Sequence, residues 1–158
     1  LEGSALIAND FAHLCANVSP AALAACKGFS SLLSVMPECR VAAKHAASAM
    51  HDITEGGVLG AAWEIAYREG LGLVIDLNAI PVREETRALC EAVGLDPLRL
   101  IGSGSLLLLT DDPETMLGAL HAADIPAAQI GYVTESGFAD ADGNALAPPA
   151  ADELYKLF

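Results

Sequence analysis

The segment Asp52-Ile53-Thr54-Glu55-Gly56-Gly57 constrains the fold of this chain most, because it lies between a short apolar stretch and a helix that must be largely buried. From Val58 to Glu69, Leu59, Ala62, Trp63 and Ala66 recur on one stripe, widened by Val58 and Ile65, so apolar cover is needed over most of the helix. Trp63 reads as a core residue. Ala47–Met50 reads as a short strand feeding the turn, and Gly70 and Gly72 end the helix. A strand, a glycine turn and a buried helix in succession point to strands layered against helices.

The remaining signals agree. Ser4–Ala8 reads as a short buried strand and Phe11–Asn17 as a short helix. Ser19-Pro20 is an N-cap with proline in the first turn, leading a helix to Gly28, and Pro37–Ala47 is an alanine-rich helix. Leu71–Leu77 is a strand by its alternation. Pro81 opens a helix through Val82, Thr86, Leu89, Cys90 and Val93, with Glu84 and Glu85 at its positive end and Gly94 as its stop. The run Leu106–Leu109 needs apolar neighbours on both faces and predicts a central strand. Asp112-Pro113 starts a helix bearing Met116, Leu117 and Leu120. Ala127–Glu135 and Phe138–Ala141 are expected to pair, Asp142-Gly143 is a turn, and Ala151–Phe158 reads as an amphipathic helix. The expectation is one α+β domain over residues 1–158, a mixed β-sheet packed with helices in layers.

Composition narrows the function. The 158 residues carry 8 Lys+Arg against 21 Asp+Glu, a formal charge of −13, with 53% hydrophobic residues. Residues 101–155 contain no lysine or arginine. Nucleic-acid binding draws its affinity from cations that neutralise phosphates, so nucleic acid and anionic membrane are both expected non-partners. No apolar run approaches the roughly 20 residues of a membrane span, and no signal peptide opens the chain, so a cytoplasmic location is expected. The opening Leu1-Glu2-Gly3, without methionine, suggests a piece of a longer polypeptide. Cys15, Cys26, Cys39 and Cys90 lack metal or redox spacing and read as buried reduced thiols.

A strand end followed by small residues and a helix start can present backbone N–H groups and a partial positive charge to an anion, without any lysine. In that reading Thr54 caps the helix, Gly56 and Gly57 let a ligand approach the backbone, and Asp52 holds a Mg²⁺ riding on a phosphate. The same residues also read as a capped helix start whose glycines only turn the chain. Gly102-Ser103-Gly104-Ser105 could admit a ligand beside serine hydroxyls, or could punctuate the chain before a strand. His51 could orient a phosphate or move a proton, or simply pack. His13, His45, His121 and the acidic group Asp111, Asp112 and Glu114 are assigned no chemistry, and no catalytic residue is assigned.

The runs Ser48–Gly60, Ile80–Glu85, Gly94–Leu98, Gly102–Leu106 and Ile130–Thr134 together resemble the C-terminal domain of the aminoimidazole ribonucleotide (AIR) synthase superfamily. The likeness runs toward its branch related to the hydrogenase maturation factor HypE. The opening Leu1–Ala8 resembles the segment by which such chains leave their N-terminal domain. The resemblance implies a two-domain, usually homodimeric, ATP-dependent enzyme whose N-terminal domain holds most of the ATP and Mg²⁺, with maturation proteins as further partners. It implies that Asp52 helps bind Mg²⁺, that Thr54, Glu55, Gly56 and Gly57 border phosphates and acceptor, and that Gly102, Ser103 and Gly104 lie near the same cleft, with His51, Glu55 and Ser103 as acceptor contacts. HypE proper ends in a Pro-Arg-Ile-Cys tail whose cysteine carries the carbamoyl group; this chain ends Asp152–Phe158 and has no cysteine beyond Cys90, so that mechanism is not implied. A non-catalytic dimerisation or docking module, and half of a sister kinase or synthase such as thiamine-phosphate kinase, are the alternatives.

Overall fold

The structure, a computed structural model, describes residues 1–158. Its helices are α1 (Glu2–Asp10), α2 (Pro20–Gly28), α3 (Met36–Lys44), α4 (Gly57–Glu69), α5 (Glu84–Val93) and α6 (Pro113–Ala122). Its strands are β1 (Ala49–Asp52), β2 (Gly72–Ile75), β3 (Leu106–Leu109), β4 (Gly131–Thr134) and β5 (Phe138–Asp140), with 3₁₀ turns at Ala12–Leu14, Phe29–Leu32 and Glu153–Leu157. The architecture is α+β, and no helix is long and apolar enough to cross a membrane.

Local chemistry explains several helix ends. The Ser19 hydroxyl accepts from the Ala22 N–H at 3.1 Å and starts α2, and the Asp112 carboxylate accepts from the Thr115 N–H at 3.0 Å and starts α6. Gly94 closes α5 in the left-handed conformation. The helix expected from Pro81 begins at Glu84, because Arg83 is still extended. Trp63, expected in the core, is only half-buried and stacks on exposed Tyr67 at 4.8 Å.

Three apolar clusters hold the layers. Ile7, Cys26, Leu89 and Cys90 join α1, α2 and α5; Leu59, Ile65, Leu73, Ile75 and Leu107 join α4 to the strands; Ala42, Met116 and Leu120 join α3 to α6. Leu107 and Leu109 face the cluster under α4, whereas Leu108 packs with α3 and α6. The leucine run therefore meets apolar side chains on both faces, although only Leu107 is fully buried.

Four expectations are corrected. Ser4–Ala8 lies within helix α1, not a strand: Ser4, Ala5, Ile7 and Ala8 are all buried, so the amphipathic period that marks a helix is missing from the sequence. Strand β3 is not central, since it pairs only with antiparallel β1, and its cover comes from helices. Strands β4 and β5 do not pair with each other but flank β2, antiparallel and parallel respectively. Glycine permits this close passage: a Cβ at Gly72 would lie 2.2 Å from the Ser136 carbonyl carbon. The C-terminal segment forms a 3₁₀ turn rather than an amphipathic α-helix, with Asp152 at its start capping the Leu154 N–H at 2.9 Å. A cleft of about 1120 Å³ is lined by residues of β3, β2 and β4, including all four β3 leucines, Ile75 and Tyr132.

Candidate functional site

The antiparallel register of β1 and β3 sets Asp52 opposite Leu106, and the ladder continues with the Ile53 N–H donating to the Ser105 carbonyl at 2.9 Å. A Cβ at Gly102 would lie 2.7 Å from Ile53 Cγ2. The two glycine turns, 46 positions apart from Gly56 to Gly102 in the sequence, therefore adjoin at one end of a strand pair.

Gly56 and Gly57 both adopt left-handed φ, +80° and +64°. Only glycine takes two such steps without strain. Gly57 has a second reason: a Cβ there would lie 2.5 Å from the Leu98 carbonyl oxygen. Gly56, not Thr54, is the N-cap of α4, and no side chain within the turn caps it, which corrects the expected role of Thr54. Thr54 instead contributes its carbonyl, which accepts from the Gly57 N–H at 3.1 Å.

The amides at this helix start are largely engaged by the protein itself. The Leu59 N–H donates to the Leu98 carbonyl at 3.2 Å, and the buried Gly56 N–H donates to the Asp152 carboxylate at 2.7 Å. Asp152 is 4% exposed. Sequence reasoning missed this residue. An aspartate opening a turn is a local signal for a cap of its own turn, but nothing local names Gly56 as its second partner.

The other predicted residues are held by specific neighbours. His51 turns toward α4, its Nε2 3.0 Å from a Glu64 carboxylate oxygen and its Nδ1 2.6 Å from the Asp52 carbonyl. Asp52 projects an exposed carboxylate, 3.9 Å from His51 Nδ1. The Ser103 hydroxyl donates to a Glu2 carboxylate oxygen, and the Tyr155 hydroxyl donates to Glu55. That bond and the Glu55 charge push the Tyr155 phenol above its ordinary range. Gly104 is left-handed, with φ of +94°.

No group of three His, Cys, Asp or Glu side chains could hold a metal ion. Mg²⁺ commonly takes one or two carboxylates and completes its shell with phosphate oxygens and water. Asp52 fits one such position in a shared shell. Burial, the largest cause in each, pushes the Cys26 thiol up to about 11 and the Cys90 thiol up to about 12, whereas Cys39, expected to be buried, is half-buried.

Residues 17–142 match the family described as AIR synthase related protein, C-terminal domain, and the chain belongs to that family. It is similar to carbamoyl dehydratase HypE of Rhodobacter capsulatus, at 43% identity over 84 residues, 52% of this chain and 25% of that protein. To HypE of Cupriavidus necator it is 35% identical over 112 residues, 68% of this chain and 30% of that protein. The crystal structure of Escherichia coli HypE superposes with a TM-score of 0.66 at 30% identity, covering 78% of this chain and 42% of that one. HypE structures in complex with HypF and with ATP match at TM-scores of 0.54 and 0.50, 28% and 29% identity, each covering 63% of this chain and 36% of that one. Thiamine monophosphate kinase from Aquifex aeolicus shares the fold, with a TM-score of 0.65 at 20% identity, over 92% of this chain and 49% of that one. The matched regions span about a quarter to a third of the length of the two curated relatives.

Proposed function

We propose that this chain forms one wall of a Mg-ATP and acceptor cleft in an ATP-dependent, HypE-related cytoplasmic protein. The observation that carries the reading is the β1–β3 register, which sets the Asp52 turn beside the Gly102–Ser105 turn at one end of the strands. Asp52 supplies a carboxylate to Mg²⁺. Thr54, Glu55, Gly56 and Gly57 border the phosphates, and Gly102, Ser103 and Gly104 border the acceptor side, with His51 held by Glu64 at the rim.

Electrostatics favour the metal-bound form of the nucleotide. Asp52 and Glu55 both present exposed carboxylates at this turn, and a bare polyphosphate would be repelled by them. Mg²⁺ would supply charge neutralisation and orient phosphate oxygens; the chain would place the carboxylate and shape the turn. The nucleotide would be held mainly by an N-terminal ATP-binding domain outside this sequence, in a homodimer, and a maturation protein is a candidate partner by analogy with the HypE–HypF complex.

The docking-module reading draws on a different observation, the apolar cleft of about 1120 Å³. Calorimetry of the full-length protein with Mg-ATP separates the two. Saturable binding weakened by Asp52→Ala supports the cleft; no heat in the wild type supports the module.

A further inference from the structure

We propose that residues 149–158 form a clip that positions the Thr54–Gly57 turn, with Asp152 as its positioning residue; the proposal rests on the assignment of that turn to the phosphate side. The clip lies beyond the family match, which ends at residue 142.

Both Asp152 oxygens are used. Oδ2 accepts from the Gly56 N–H at 2.7 Å and Oδ1 from the Leu154 N–H at 2.9 Å. Pro149 lies against the same turn: a Cβ at Gly56 would be 3.7 Å from Pro149 Cβ, and one at Gly60 3.9 Å. Tyr155 reaches the turn from outside through its bond to Glu55.

The clip also grips the loop on which the turn rests. A Glu153 carboxylate oxygen accepts from the Asp96 N–H at 3.0 Å, and the Glu153 N–H donates to the Arg99 carbonyl at 3.4 Å. Between those contacts lies Leu98, whose carbonyl takes the Leu59 N–H. At its far end the clip is anchored by apolar packing: Leu154 and Leu157 join the cluster of α1, α2 and α5, and the Phe158 ring meets Phe11 edge-on at 5.2 Å.

Removing Asp152 would leave the buried Gly56 N–H without its acceptor, at a residue held with φ of +80°. A buried unpaired donor is costly, so the turn would move to find water or another oxygen. Thr54 and Glu55 would then shift relative to Asp52. The clip thus governs the shape of the turn without touching the ligand itself.

The test uses the full-length protein and reads two quantities: hydrogen exchange at residues 54–57, compared with core residue Leu89, and the Mg-ATP dissociation constant. Asp152→Ala is expected to speed exchange at 54–57 by about tenfold, leave Leu89 unchanged, and weaken Mg-ATP binding by about tenfold. Asp152→Asn keeps one acceptor oxygen, enough for the Gly56 or the Leu154 N–H but not both, and is expected to recover part of both effects. Unchanged exchange at 54–57, or a change that merely follows Leu89, overturns the clip. Should the alanine variant not fold, Tyr155→Phe removes only the Glu55 bond; about threefold faster local exchange supports the proposal, and wild-type exchange contradicts it. A wild type that binds no Mg-ATP overturns the phosphate assignment and the positioning role with it, whereas altered binding without altered exchange overturns the clip alone.

Discussion

The Asp152 carboxylate lies 2.7 Å from the Gly56 amide nitrogen across 96 residues of sequence, and this bond ties the end of the chain to the glycine turn beside Asp52. Hydrogen bonds to charged groups contribute about 1.5–3 kcal/mol when buried. The turn is therefore held by a long-range contact as well as by its own glycines.

The glycines make their own prediction. Gly57→Ala must place a methyl group 2.5 Å from the Leu98 carbonyl oxygen at a φ of +64°, which an L-residue resists. The combined strain and overpacking should cost about 2–4 kcal/mol, lowering Tm by several degrees. Gly118→Ala in α6 meets nothing within 4 Å and has ordinary helical φ, so it should be neutral or stabilising. Thermal unfolding of both variants checks this; equal midpoints would contradict the close approach at Gly57.

Acid should weaken the clip. Burial pushes the Glu153 carboxyl up, but the Lys156 hydrogen bond, the Asp96 N–H and the Lys156 and Arg99 charges outweigh it and hold it below its ordinary range. A carboxylate with a depressed folded pKa contributes stability above its unfolded pKa, about 4.3, and loses it as pH falls through the folded value. Denaturation midpoints measured from pH 7 down to 3 should therefore fall more steeply for wild type than for Glu153→Gln below about pH 4.5. Asp112 and Asp140, also held low by hydrogen bonds from Thr115 and Asn144, are present in both proteins and cancel in the comparison. Parallel curves would contradict the assigned interactions.

Thiol reactivity should separate the cysteines. Cys15, Cys26 and Cys90 are buried, whereas Cys39 is half-buried. Burial also raises the Cys15 thiol and carries Cys26 and Cys90 to about 11 and about 12, so thiolate is scarce at pH 8. Mass spectrometry after a short alkylation pulse should find Cys39 modified first and the other three only after unfolding. Native labelling of Cys90 at the Cys39 rate would refute the packing of α5.

The elements legible in the sequence are those whose cause is local. Ser19 caps its own helix, Gly94 ends its own helix, and the stripe of α4 repeats within one segment, so these follow from neighbours a few positions away. The Ser4–Ala8 segment was illegible because burial on nearly every side erases periodicity. The β2 position between β4 and β5 was illegible for another reason: the apparent hairpin has plausible strand partners within it, and only the approach of β2 decides the pairing. At the candidate site, the position of the glycine turn at the start of α4 is legible from strand–turn–helix chemistry. Asp152, Tyr155 and Glu64 are not, because each acts on a partner made near only by folding.

In the proposed function Asp52 supplies a metal-binding carboxylate beside the nucleotide phosphates. The most direct test of that role is the rate of Mg²⁺-dependent ATP hydrolysis by the full-length protein and its Asp52→Ala variant, assayed at matched folded concentration. A loss of about 100-fold or more in the variant is the expected result, the scale seen when a group stabilising developing charge is removed. Wild-type turnover by Asp52→Ala would contradict the assignment.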